Sequence, residues 1–308
     1  MWNFSLLKAL VVWGKLAPLL AVRLAAFVAV ALVLAVAIAL GVWLGVSLQL
    51  SGGAADPVLG GLGGLAVAAV VLGLLGRDLR QALQIRMIAL VADLTDGVRV
   101  PLGGGQADHT RAGVAARFGS PAQARSLYRY VRGVARTVPS VAEGVGPILS
   151  LPLVGRLATG GLVNQAVLAH AYRARPENAW EAAHDGLVLA TQNARELLGS
   201  AGRINAVGWV MTVAIFLVLL PPFVGLLALW PAAGAVSGIV ASALAALAIR
   251  SALIQPFALT CLWQAFLRIT VGQEPLGEWR GRLTQTSTPF RTLGDQALAW
   301  VPETAAAG

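Results

Sequence analysis

The densest run of groups able to do chemistry is Arg173, Glu177, Asn178, Trp180, Glu181, His184 and Asp185. Pro176 suits a first helical turn, where Glu177 complements the helix dipole. In that helix Trp180 and His184 stand one turn apart, as do Glu177 with Glu181 and Glu181 with Asp185. An aromatic ridge beside a carboxylate ridge can hold an organic cation by charge and cation–π attraction. The same spacing also describes an amphipathic helix lying on a membrane with Trp180 as its interfacial anchor. Catalytic signatures are missing: the sequence has no HExxH, G-x-S-x-G, GxxxxGK[ST], kinase or dinucleotide pattern. His109, His170 and His184 have no ligand spacing, and the single Cys261 excludes an internal disulfide or a CxxC site. The expectation is a protein that is not an enzyme and takes neither a metal nor another cofactor.

A second pattern is basic. After Ser120 as cap and Pro121 in the first turn, Arg125, Arg129, Arg132 and Arg136 recur at steps of 4, 3 and 4, while Leu127, Tyr130, Val131 and Val134 line another face. This predicts an interfacial helix with its arginines among anionic headgroups. Contact with a protein partner is an alternative. Nucleic acid is not expected, because no base-reading motif or folded basic module accompanies the arginines.

The elements that must position these residues follow from composition. The 308 residues are 57% apolar and 12% charged, with a formal charge of +9 and a mean hydropathy of +0.74. Such a chain does not make a water-soluble surface, which excludes secreted and soluble cytoplasmic enzymes and disordered regulators. Residues 24–55, 57–76 and 204–249 carry no Asp, Glu, Lys or Arg, and about 20 apolar residues cross a bilayer. The predicted fold is all-α: a polytopic helical bundle with four clear crossings, or six on one reading, and interfacial helices.

Six segments result. Residues 1–76 hold an interfacial helix over 3–16, with Trp2 and Trp13 as anchors and Lys8 and Lys15 among phosphates, then a first hairpin with spans at 24–48 and 59–76. SGGAADP at 51–57 is its turn, and the spacings Gly41 to Gly45 and Gly60 to Gly64 allow close packing. Residues 77–136 carry ten arginines against four aspartates; an amphipathic helix over 79–93 and a loop over 100–110 precede the basic helix. Residues 137–172 are interrupted by Glu143, Pro147, Pro152 and Arg156, giving a re-entrant hairpin or two tilted spans. Residues 173–203 form the polar amphipathic segment. Residues 204–270 contain spans near 205–221 and 232–249, with PPF at 221–223 and Trp230-Pro231 at the bend; 251–270 is a further span or the inner continuation of the last. Residues 271–308 read as a cytoplasmic tail. Arginine next to spans and none in 51–57 place both termini in the cytoplasm, with the chain in a plasma membrane of bacterial inner-membrane type. Arg250, inside apolar sequence, needs a headgroup, solvent or a protein acceptor, and reads as a structural or gating residue.

Asn178-Ala179-Trp180, then Ala194-Arg195 and Arg203 ahead of NAVGWVMTVAIFLVLL, resembles the carboxy-terminal region of the choline-transporter-like family. Pro256, Leu259, Thr260, Leu262 and Phe266 are similar to that family's last helix, so the resemblance covers residues 175–275. It implies movement of a choline-like organic cation through a helical bundle. Trp180, Glu181, His184, Asp185, Asn164, Tyr172 and Gln255 are then the substrate-binding candidates, and membrane lipids with anionic headgroups the surroundings. Abundant Gly and Ala, short turns and an arginine-rich face support a second reading equally: a noncatalytic scaffold, either a homo-oligomer or a subunit of a larger envelope or secretion complex.

Overall fold

The structure, a computed structural model, describes residues 4–48, 56–101, 103–141, 159, 161–174, 178–228 and 234–300. Among them every regular element is helical, and the chain divides into two compact units whose segments interleave in sequence.

The membrane unit comprises Leu20–Gln81 and Trp209–Gln255. It contains most of α2 (Ala17–Leu48), the first part of α3 (Asp56–Thr95), the last part of α9 (Ala194–Ala228), and α10 (Gly234–Ile249) with a π turn over Arg250–Ile254. Four helical stretches are long and apolar enough to cross a membrane: Ala17–Leu48, Asp56–Leu74, Ala194–Leu226 and Gly238–Thr270. Their outward side chains are large and bare, with Leu32 62% and Val70 61% exposed. Hydrocarbon is the solvent that suits such a surface, and helices suit hydrocarbon because they pair their backbone groups internally.

The glycine spacings set the fit of the first hairpin. A Cβ added at Gly41 would fall on the Gly60 carbonyl, one at Gly45 on that of Asp56, and one at Gly64 on that of Ala37. Backbone therefore rests on backbone along the seam. The second hairpin is close at one point, where a Cβ on Gly238 would sit 2.6 Å from Val224 Cα.

Several boundaries differ from those the sequence predicts. The second span ends near where the sequence predicts, at Leu74, but its helix does not: α3 runs on to Thr95, its exposed part ends near Arg80, and Met87, Leu90 and Val91 are fully buried in the helical unit. The expected loop over 100–110 ends earlier, with α4 (Gly105–Phe118) starting inside it. Helix α9 continues through Pro221 and Pro222 to Ala228, where the sequence predicted an end to the span at 221. Pro221 and Pro222 withhold donors from the Leu217 and Val218 carbonyls, and prolines are tolerated in spans because neighbouring groups and local adjustments can satisfy such carbonyls. Residues 251–270 continue the fourth span through α11 (Gln255–Thr270) and do not cross again.

The helical unit comprises Met1–Leu19, Ala82–Gly208 and Pro256–Gly308. Its elements are α1 (Leu6–Lys15), the end of α3, α4, α5 (Pro121–Ala135), the short α6 (Val138–Val141), α7 (Leu162–Arg173), α8 (Ala179–Gln192), the start of α9, α11, α12 (Gly277–Thr286) and α13 (Thr288–Ala299). Helix α8 is central, packed by α7, α13, α5 and α12. The core gathers Trp263, Phe266, Phe290, Leu168 and Leu187, all fully buried. The segment after residue 270, read as a tail, adds Leu283, Phe290 and Leu293 to this core, none of them with exposed surface. Within 137–172 the described helix Leu162–Arg173 is mostly interior. Twelve-residue α7 has ten side chains buried against protein, too short and too enclosed for a lipid-facing span. Glu143, Pro147, Pro152 and Arg156 lie outside the described residues.

Candidate functional site

The sequence-nominated ridge does form a helix, and Asn178 explains where it begins. Its Oδ1 accepts from the backbone N–H groups of Trp180 (3.0 Å) and Glu181 (3.3 Å), and its Nδ2 donates to the Ala297 carbonyl at 2.6 Å. The Asn-Ala-Trp triplet is thus a helix cap tied to α13. Pro176 and Glu177 lie outside the described residues.

The ridge faces protein. Trp180 is 7% exposed, with the edge of its ring system on Tyr130 at 6.0 Å. His184 stacks on Phe290 with centroids 4.0 Å apart. Asp185 accepts from Arg280 at 2.7 Å and lies 3.8 Å from His184 Nδ1. Glu181 remains in solvent. The aromatic face and the nearest carboxylate that would hold a cation are already engaged with one another's neighbours.

Asn164 and Tyr172 sit on α7, buried in the helical unit, whereas Gln255 closes the π turn of the membrane unit by donating its backbone N–H to the Arg250 carbonyl. Six of the seven substrate candidates thus belong to the helical unit and Gln255 to the membrane unit.

What Tyr172 joins is a polar lock that sequence spacing did not reveal. Its hydroxyl donates to Asp93 Oδ2 at 3.0 Å, and His109 Nε2 lies 3.1 Å from the same oxygen. One turn away Arg173 Nε donates to Asp96 Oδ2 at 2.8 Å. Arg117 donates to the Arg173 carbonyl at 3.3 Å, its guanidinium 6.0 Å from the Tyr172 ring. Burial, then the Asp93 carboxylate, push the Tyr172 phenol above its ordinary range. A phenol held protonated against a carboxylate is a fastener, not a nucleophile. The one available signal was a pair of aspartates, Asp93 and Asp96, directly after the apolar run 87–92 at the end of α3. His170, against Phe266 at 5.7 Å, has its pKa lowered, first by burial and then by Arg173, with Asp185 opposing. Among the described residues no group of three His, Cys, Asp or Glu could hold a metal.

The basic helix is α5, started by Ser120 Oγ on the Gln123 N–H with Pro121 in the first turn. Leu127, Val131 and Val134, expected at a lipid surface, are fully or almost fully buried against protein; α13, α7 and α8 cover them. The apolar face is thus closed to acyl chains, and the arginines make up the outward side. Projected at about 100° per residue, Arg125, Arg129, Arg132 and Arg136 fall within about 60° of arc. Arg125, Arg129 and Arg132 have no acidic partner among the described residues, unlike Arg173 and Arg280.

The last polar cluster belongs to the membrane unit. Arg250 donates to Thr212 Oγ1 at 3.1 Å and lies over the Trp209 ring at 4.0 Å, which supplies the protein acceptor its position demands. The π turn beside it has a chemical origin. Gln255 gives its N–H to the Arg250 carbonyl, and the next residue, Pro256, has none to give. The Ser251 carbonyl is left without a donor from its own helix. Arg23 of α2, 3% exposed, supplies one through Nη2 at 3.0 Å. Comparison with family models, curated proteins and solved structures finds no match for this chain.

Proposed function

We propose that this chain is a noncatalytic scaffold or subunit of a larger membrane complex, docking an acidic partner on the arginine ridge of α5. The observation that carries the reading is that ridge. Three guanidiniums without an acidic partner lie on one side of a helix whose apolar side is sealed, so the surface offers charge and nothing to insert. Arg23, Arg77 and Arg203 each border an apolar run at the end reached after an even number of crossings, and Arg268 lies at the far end of the fourth span. That distribution supports a plasma membrane of the bacterial inner-membrane type with both termini in the cytoplasm.

Carriage of a choline-like cation, which the family resemblance implies, has less support. Trp180 is enclosed and Asp185 is paired to Arg280. Within the spans the charges flanking the apolar runs of α2 and α10 are arginines, which repel a cation.

Two measurements on the purified full chain test the proposal. In native gels from gently solubilised membranes, the chain should run in an assembly well above its 31.8 kDa, and Arg125→Glu with Arg129→Glu and Arg132→Glu should collapse it. In vesicles, radiolabelled choline should enter no faster than into empty ones. An assembly indifferent to the triple reversal, or choline uptake above background, would overturn the reading, the second in favour of a carrier.

A further inference from the structure

Helix α1 has three sides, and the helical unit accounts for one. Ala9 and Leu16 are fully buried and Val12 nearly so. Both ends are tied to that unit: the Ser5 N–H donates to Gln264 Oε1 at 3.2 Å, and the Lys15 carbonyl accepts from Gln106 Nε2 at 2.7 Å. The orientation of α1 on its unit is thereby fixed, and with it the direction in which the other two sides look.

The second side is apolar and bare. Leu6, Leu7, Leu10 and Val11 are 59%, 77%, 51% and 59% exposed, and with Gly14 they cover an arc of about 140° at 100° per residue. The third side is the rim of the second. Lys8 and Lys15, the only lysines of the chain, project about 40–60° beyond Val11, and both are exposed. Four adjoining large apolar side chains are an unusual surface to leave in water. Chain continuity names what covers them. Only Leu16 separates α1 from α2, whose apolar length crosses a membrane, so α1 cannot lie far from the bilayer surface.

We infer that α1 is an in-plane membrane anchor of the helical unit, with Leu6, Leu7, Leu10 and Val11 among acyl chains and Lys8 and Lys15 against the phosphates of anionic phospholipid. The lysine stems lie along the apolar rim while their ammonium groups reach the headgroups. Lysine suits this place better than arginine, because a flexible stem with a compact charge can follow mobile phosphates without a fixed fork. The anchor is separate from the α5 ridge, and neither depends on the other.

Spin labels on the full chain in nanodiscs test it. Leu7→Cys and Val11→Cys report the apolar arc, and Gln296→Cys an exposed site on α13; native Cys261 is buried and stays unlabelled. Labels at 7 and 11 should collide with oxygen more than with a water-soluble nickel chelate, and the label at 296 the reverse. Nickel accessibility at 7 and 11 equal to that at 296 would overturn the anchor. So would shielding from both reagents with spin–spin broadening, which would put a second copy there. For the headgroups, adding phosphatidylglycerol to phosphatidylcholine nanodiscs should raise the Tm of the native chain, and Lys8→Gln with Lys15→Gln should remove at least half of that rise. An undiminished rise would overturn the lysine assignment.

Discussion

Removing the Arg23 guanidinium should destabilise the protein more while Pro256 is present than once it is replaced. The Ser251 carbonyl depends on Arg23 Nη2 because Gln255 donates to Arg250 and Pro256 has no N–H. A buried acceptor left without a donor costs about 1–3 kcal/mol, and bonds from charged donors about 1.5–3 kcal/mol. Arg23→Met therefore loses a bond of that class, offset in part by release of a buried charge. In Pro256→Ala the restored N–H lets the helix return to α register, with Gln255 donating to Ser251 and the new residue to Ala252. The carbonyl is then satisfied without Arg23. Everything else that Arg23 does, including its approach to Phe27 at 5.8 Å, is common to both backgrounds and cancels in the cycle. A coupling of about 1–2 kcal/mol should remain, a factor of about 5–30 in the unfolding equilibrium. Steric trapping in bicelles on the native chain, the two single variants and the double variant supplies the four free energies. A coupling below about 0.3 kcal/mol, or a π turn that persists in Pro256→Ala, would refute the account.

The glycine seam gives a sharper contrast within one helix. Gly60→Val places side-chain atoms on the Gly41 carbonyl and should cost about 3 kcal/mol or more, whereas Gly63→Ala meets nothing within 4 Å and should stay within about 0.5 kcal/mol in the same assay; equal effects would contradict the seam. Tyr172→Phe should cost about 1–2 kcal/mol by leaving Asp93 with His109 alone, and in an alkaline absorbance titration of the native chain the Tyr172 step should lie above the ordinary tyrosine value of 10.0. His170 is harder to protonate in the folded chain than its ordinary 6.5, so acid favours the unfolded chain. Stability should be level well above pH 6.5, fall as pH drops through that value by at most about 1.4 kcal/mol per pH unit, and level again below the folded pKa. His170→Phe should flatten that part of the melting profile, and an unchanged slope would remove His170 as its source.

Legibility in the sequence followed the length scale of the cause. The four spans were readable because bilayer thickness sets the length of an apolar run, and the Ser120-Pro121 start of α5 because a cap is a local bond. Orientation was not. The 3.6-residue period placed Trp180 and His184 on one face, but the covering residues Tyr130 and Phe290 lie about 50 and about 106 positions away, and no periodicity within α8 points to them. The arginines of α5 were found with their correct angular relation, while the fate of Leu127, Val131 and Val134 depended on α13. Asp93, His109 and Tyr172 meet through three helices and share no spacing. The helix through Pro221 and Pro222 failed the usual breaker rule because the rule is calibrated on helices in water, where a freed carbonyl has a cheap alternative.

The interleaving of the two units also fixes an order of events on the ribosome. Residues 82–208 are made after the first hairpin, yet their core needs Trp263, Phe266 and Phe290, which come only after the second hairpin. Until the last sixth of the chain is made, α7 and α8 expose the surfaces that α11 and α13 will cover. Synthesis of the fourth span therefore precedes completion of the helical unit, and a nascent chain stalled before residue 255 carries an apolar core without Trp263, Phe266 and Phe290.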